Sequence, residues 1–369
     1  MTKNEFFKRP NKHTRLKSQI ISKYFMPWSR IVGNINSKIT YLDLFAGNGK
    51  FSNGELGTAL GVIEESAKVD KLRQDLLIVL NEKERRFYQQ LIRTIDEEGM
   101  AYGFNRAPIY YNKDALNLID EIEDIKKQGP MFTFIDPSGY KGVTQDLIRQ
   151  VLDGKGNDCM VFLATDYIVR FFKKNSLEKY FIELFGLEEF KDLKREYYIC
   201  PGDKHILIMD FFKRACLRHS GPIGLKYVLP LTIYKEKKNH ISHHLVFLSK
   251  HHLAFKIMKD IMADPSDKVG EIPVFKYRES CIKNGVPLEF DHGLSLLNKL
   301  KEKIIIDFSG RELSVKDLKT GCHKLGYMYL EKNIKKALTE LMKEGRLRLI
   351  PDPSTKGENI TDKRRIIIN

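Results

Sequence analysis

Tyr41-Leu42-Asp43-Leu44-Phe45-Ala46-Gly47-Asn48-Gly49-Lys50-Phe51 is the stretch whose reading decides the fold. The run from Ile39 to Phe45 is apolar except at Thr40 and Asp43 and has the length of a strand. It breaks at Gly47 and Gly49, where the backbone can turn tightly and a ligand can approach it. A strand that ends in a glycine loop at the edge of an α/β sheet is where nucleotide-like ligands bind. A phosphate-cradling P-loop needs Gly, four residues, then Gly-Lys-Ser/Thr. Here Phe51 follows Gly49-Lys50, and Leu44 stands five residues before Gly49, so that reading fails. A dinucleotide fingerprint needs a third glycine, and Ser52 stands in its place. Asp43, four residues before the first glycine, would also repel a pyrophosphate.

The third reading is S-adenosylmethionine. Its reactive end is a cationic sulfonium with an amino-acid tail, which a carboxylate attracts. Asp43-x-Phe45-x-Gly47-x-Gly49 resembles the first motif of class I methyltransferases. The plainer alternative is a strand-turn-helix corner that binds nothing.

The chain downstream alternates strands and helices. Strand-like runs are Leu76–Leu80, Pro108–Tyr111, Met131–Ile135 and Cys159–Ala164. Helical stripes lie between them, with Phe87, Leu91 and Ile95 on one and Leu116, Ile119, Ile122 and Ile125 on the next. A helix is also expected from about Thr144. This rhythm predicts a parallel sheet covered on both faces. Residues 167–220 read as a helical insertion over the sheet edge, jointed at Cys200-Pro201-Gly202-Asp203. Tyr227–Tyr234 and Ile241–Leu248, separated by Lys235–Asn239, are spaced as an antiparallel hairpin. A parallel sheet that ends in such a hairpin again resembles the class I methyltransferase fold.

Four carboxylates, Asp43, Glu82, Asp114 and Asp136, stand at or beside the ends of four successive predicted strands. In open α/β sheets ligands bind beyond those ends. Each could singly be an ordinary helix cap; the recurrence of the position makes them candidates together. In the methyltransferase reading Glu82 holds the ribose hydroxyls and Asp114, with Asn112 as a lesser candidate, the adenine amino group. Asp136-Pro137-Ser138-Gly139-Tyr140 resembles the fourth motif of amino-methyltransferases. There a polar side chain holds an exocyclic amine and an aromatic stacks on the base. Ser138 replaces the second proline, and Tyr140 comes one position late. Pro-Ser-Gly also makes a tight turn by itself.

Composition bounds the partners. The 369 residues predict two domains, and the net charge of +15 favours polyanions, nucleic acid first. The expected division is a basic helical arm over 1–38, a methyltransferase-like α/β domain over 39–265 and a C-terminal domain over 290–369. The arm carries nine Lys or Arg and one acidic residue. Its expected helix starts near Thr14 and packs Leu16, Ile20, Tyr24 and Trp28 inward, or serves as a lid. From 290 onward, helices at Leu294–Leu300, Ser314–Leu325 and Glu331–Lys343 precede strands Arg346–Ile350 and Arg365–Ile368. That order suggests a winged helix, and residues 297–369 hold 17 Lys or Arg against 10 Asp or Glu. The structural alternative is a dimerisation or lid domain.

The five cysteines are scattered, none in a Cys-x-x-Cys pair, which suits a reducing cytosol. The N-terminus has no apolar core of the kind a signal peptide needs, and no run approaches ~20 apolar residues. A cytoplasmic protein is expected. His240, His243, His244, His251 and His252 invite a metal reading. His243 and His244 would point to opposite faces of a strand and no cysteine completes a site, so no metal is expected. A hydrolase or nuclease likewise lacks a ligand constellation.

Taken together, His13-Thr14-x-x-Lys17, Tyr24, Trp28, the Asp43–Gly49 loop and Phe134-Ile135-Asp136-Pro137-Ser138-Gly139-Tyr140 resemble the bacterial three-Cys-motif partner proteins over about residues 11–255. Where that family's loop has proline between the glycines, this chain has Asn48. The resemblance implies a class I methyltransferase-like fold, a radical-SAM-like cysteine-rich partner protein, and a lid that brings His13 and Lys17 near the substrate. Two functions are therefore expected: an S-adenosylmethionine-dependent methyltransferase acting on nucleic acid, or a nucleic-acid-binding partner subunit that kept the fold without the reaction.

Overall fold

The computed structural model describes residues 12–99, 103–139, 141–235, 240–278, 290–351 and 360–369. The chain divides into two compact units, Met1–Ile261 and Met262–Asn369. No helix among the described residues is long and apolar enough to cross a membrane.

In the first unit the apolar runs become strands β1 (Ile39–Asp43), β2 (Leu76–Asn81), β3 (Ile109–Tyr111), β4 (Met131–Ile135) and β5 (Asp158–Leu163). Every residue of β1, β2, β4 and β5 is buried, as strands sandwiched between helices require. They are joined by β6 (Tyr227–Tyr234) and β7 (Ile241–Ser249), in the spatial order β6-β7-β5-β4-β1-β2-β3. The first five are parallel; β7 runs antiparallel between β5 and β6, with Met160 opposite Phe247 and Val228 opposite Leu248. This is the Rossmann-like class I methyltransferase sheet. Its strand order reverses between β1 and β4, which opens a crevice beyond their C-terminal ends.

Side chains alternate across the sheet and so sort into two layers. Leu42, Val79, Ile135 and Val161 share a core with Ile122 of helix α5 (Ile119–Lys126), Ile148 of α6 (Gln145–Leu152) and Phe212 of α10 (Lys204–Ser220). The other face belongs to helix α1 (Lys12–Gly33). Tyr24 packs edge-on to Phe247 at 4.7 Å and Phe25 edge-on to Tyr41 at 5.5 Å. The Tyr24 hydroxyl donates to Asp158 Oδ2 at 2.6 Å, and Trp28 Nε1 donates to the Gly156 carbonyl at 3.1 Å. The basic N-terminal segment thus lays its aromatic stripe on the sheet.

Some sequence expectations shift. Helix α1 is already formed at Lys12, two residues before the expected start near Thr14, and Pro27 is accommodated inside the helix. Strand β1 stops at Asp43, because its carboxylate accepts the Phe45 amide at 3.0 Å and turns the chain. The stretch expected as a helical insertion forms α7 (Thr165–Phe171), α8 (Glu178–Phe185), α9 (Leu187–Ile199) and α10, and all four contribute to the sheet's core.

Helix α6 is capped by Thr144, whose Oγ1 accepts the Leu147 amide at 3.1 Å. Thr144→Ala should cost about 1 kcal/mol, read as a shift in the denaturant midpoint at constant slope.

The second unit packs helices α12 (Phe290–Phe308), α13 (Val315–Lys324) and α14 (Glu331–Lys343) around Leu300, Ile304, Leu318, Ile334 and Leu338. A three-stranded antiparallel sheet completes it, in the order β11 (Glu312–Ser314), β13 (Arg365–Ile368), β12 (Leu347–Leu349). Strand β11 was not expected: three residues are too short to carry a period.

Candidate functional site

The glycine loop follows β1 at the crevice. Gly47 and Gly49 both have positive φ, 67° and 83°. The two glycines serve different ends. The Gly47 amide donates to Glu82 Oε2 at 3.0 Å, which ties the loop to the end of β2. Glu82 Oε1 accepts the Glu84 amide at 2.8 Å. Gly49 is buried, and a Cβ there would lie 2.9 Å from Leu91 Cδ1, so its bareness permits packing against helices. Its carbonyl accepts the Gly57 amide at 2.7 Å.

Asp43 is 1% exposed. Its Oδ1 accepts the Phe45 amide, and its Oδ2 accepts the Tyr41 hydroxyl at 3.3 Å. Burial pushes this carboxyl up to about 7, and the nearby Asp136 charge adds to that, against the Phe45 hydrogen bond and Lys17. Asn81, missed in the sequence reading, knits the edge: its Nδ2 donates to the carbonyls of Leu44 at 2.9 Å and Lys113 at 3.1 Å. A polar residue that closes an all-apolar strand was the available signal. Asp114 is half-exposed; it caps the turn at Leu116 (3.1 Å) and accepts Lys83 Nζ at 2.7 Å. Asn112 Nδ2 donates to the Glu82 carbonyl at 2.7 Å, so Glu82, Asn112 and Asp114 stand side by side on two neighbouring strand ends.

Beyond β4, the Asp136 carboxylate forms an ion pair with Lys17, 119 positions away on α1. The side chains are 20% and 8% exposed. The ammonium also sits 4.8 Å from the Phe162 ring and 5.6 Å from the Phe134 ring, a cation on two aromatic faces. His243 stacks on Phe162 at 4.6 Å. Burial drives His243 down to about 3, with His13 and then Lys17 adding repulsion, so it stays neutral. The structure thus brings Lys17 to Asp136 and His13 close to His243. Phe162 and His243 were not anticipated as part of this wall. Pro137 is buried and its carbonyl accepts the Gly139 amide at 2.8 Å, which makes the turn; Ser138 is exposed. Tyr140 lies outside the described residues. Phe45 is half-buried against Gly142, where a Cβ would meet its ring at 2.9 Å. A cavity of about 440 Å³ lined by Leu116, Gln145, Ile182 and His219 holds none of these residues.

The fold and this crevice define a Rossmann-like α/β domain of the class I methyltransferase type. No protein-family model matches the chain and no curated protein matches it in sequence. Among solved structures it is similar to Trm1 from Pyrococcus horikoshii in complex with S-adenosyl-L-methionine, at 11% identity and TM-score 0.36, over 97% of this chain and 91% of that one. It is also similar to the DszA carbon methyltransferase (14% identity, TM-score 0.37, 66% of this chain and 56% of that). A third is WbdD (10%, 0.36, 66% of this chain and 41% of that). The chain thus spans about half the length of the latter two.

Proposed function

We propose that this protein is an S-adenosylmethionine-dependent methyltransferase acting on nucleic acid. The observation that carries the reading is the Glu82 carboxylate fastened to the Gly47 amide at the crevice where the strand order reverses. Glu82 suits the ribose hydroxyls, and Asp114 beside it, with Asn112 as the lesser candidate, the adenine amino group, in keeping with hydrogen-bonding groups on adjacent strand ends. Phe45 lines the loop. S-adenosylmethionine, when bound, supplies an electrophilic methyl group on a sulfonium. Asp136 is the residue suited to receive a base's amino group, with Pro137 and Ser138 forming the turn and Tyr140 assigned to stacking. His13 and Lys17 then face the substrate.

Calorimetric titration tests this. The wild-type protein should bind S-adenosylmethionine with micromolar affinity, and Glu82→Ala should weaken it at least about tenfold, the cost of a charged hydrogen-bond partner. No binding to the wild type overturns the proposal.

One observation favours a second reading: Asp136 is already engaged by Lys17. A subunit that kept the fold without the reaction, working beside a radical-SAM-like protein, would bind nucleic acid through its basic surface alone. The second unit's helix–strand–helix–helix–strand–strand order, which we read as a winged helix, suits either version. Nucleic-acid affinity that falls steeply with salt and ignores S-adenosylmethionine would favour this reading.

A further inference from the structure

A second cluster lies in the first unit, built by different residues. Asp166 opens α7 directly after β5, His205 opens α10, and His240 precedes β7. One donor atom from each lies within 4.8 Å of the others. Asp166 Oδ1 is 2.8 Å from His240 Nε2 and 3.8 Å from His205 Nε2. The two imidazole rings meet edge to face at 5.0 Å.

One ring hydrogen of His205 is placed by its neighbour. Its Nδ1 lies 2.8 Å from Asp203 Oδ1, and a carboxylate only accepts, so Nδ1 carries the hydrogen. In the neutral form of that tautomer the Nε2 lone pair is aimed at Asp166 Oδ1. That Nε2 is buried and has no hydrogen-bond partner, on a side chain only 8% exposed. Two lone pairs that face each other in a buried place call for a positive charge between them. Asp203 is also the outer carboxylate that holds a ligating histidine in the right tautomer. Ligands at about 2.0–2.2 Å in a tetrahedral site stand about 3.4 Å apart, and the two measured separations bracket that value.

We propose that Asp166, His205 and His240 bind a divalent transition-metal ion of the kind Zn2+ represents, and that the ion clasps α7, α10 and the β6–β7 connection together. Two imidazoles and a carboxylate are a borderline donor set that suits zinc, and the exposed flank of His240 (side chain 45% exposed) leaves the fourth position to water. Lys235 and Arg170 pair with the other oxygen of Asp166, which orients the carboxylate with Oδ1 toward the imidazoles. Their repulsion of the ion is screened, since their side chains are 37% and 52% exposed.

The test is independent of the methyltransferase reading and uses untagged, chelator-treated, full-length protein. Titration with Zn2+ by calorimetry should show one equivalent, and Co2+ should give the visible bands of a tetrahedral N/O site. Added Zn2+ should raise the melting temperature. His240→Gln, at an exposed position that leaves the fold intact, should weaken Zn2+ binding about 100-fold or more, and Asp203→Asn about 10–100-fold. His251→Gln, on a residue that accepts the Leu253 amide instead, should change nothing. No binding by the wild type, or an undiminished equivalent in His240→Gln, overturns the proposal. The cluster is then an ion-pair hub in which a proton on His205 bridges Asp203 and Asp166.

Discussion

Asp43→Asn should make the protein more stable above pH 7 and flatten its stability–pH curve. The native carboxyl, pushed up to about 7 by burial, holds a proton that the unfolded chain releases near 4. Between those values the folded state binds more protons, so stability falls as pH rises, and the full penalty is reached above 7. Three pH units correspond to on the order of 4 kcal/mol. An amide keeps the geometry: its oxygen accepts the Phe45 amide and its nitrogen donates to the Tyr41 hydroxyl. Denaturant unfolding at pH 4 and pH 8 checks this, with little difference from wild type at the lower pH and a large gain at the higher. Equal gains at both would place the effect in packing. Asp158 is also driven up, to about 6, and is unchanged in the variant, so the difference between the two curves isolates Asp43. A natural sequence that keeps an ionisable group at such a cost implies a use for its charge. In the proposed function that use is the field on a cationic cofactor, and Asp43→Asn should bind S-adenosylmethionine more weakly while being harder to unfold.

Lys17→Met should act in the opposite direction. It removes the cation that pairs with Asp136 and sits over the Phe134 and Phe162 rings, and leaves a mostly buried carboxylate without that partner. Breaking such a pair from one side costs about 3–5 kcal/mol, because the remaining charge stays desolvated. The loss should extend to Asp43, which Lys17 now pulls downward. Replacing both partners, as Lys17→Met with Asp136→Leu, should recover most of the stability, since two apolar side chains suit the aromatic surroundings. Chemical denaturation of the two single variants and the double closes the cycle. A double variant no better than Lys17→Met would mean that the pair is not coupled. In the methyltransferase reading the double variant folds and fails to transfer a methyl group, which separates the structural role of the pair from its chemical one.

The residues differ in how far they could be read from sequence. Strands β1, β2, β4 and β5 were legible because each is an apolar run long enough to cross a buried sheet, broken by glycine or a polar turn. The antiparallel β6–β7 pair was legible from the short span between the runs. The carboxylates at the strand ends followed from strand polarity alone. What stayed hidden depends on long-range pairing. Lys17 and Asp136 are 119 positions apart, and only the docking of α1 on the sheet joins them. Gly49 reads as a loop glycine in one dimension, and its packing against Leu60 and Leu91 appears only in the fold. The histidine run drew attention to five residues, yet only His240 of them faces Asp166 and His205.

By itself, then, the sequence determined the alternation of elements, the crevice at the end of β1 and the acidic residues along it, since these follow from local periodicity and backbone freedom. Only the tertiary structure decided which carboxylates are buried, which are paired and which remain open. Burial and pairing set a carboxylate's charge, and both come from residues the chain brings back from far away.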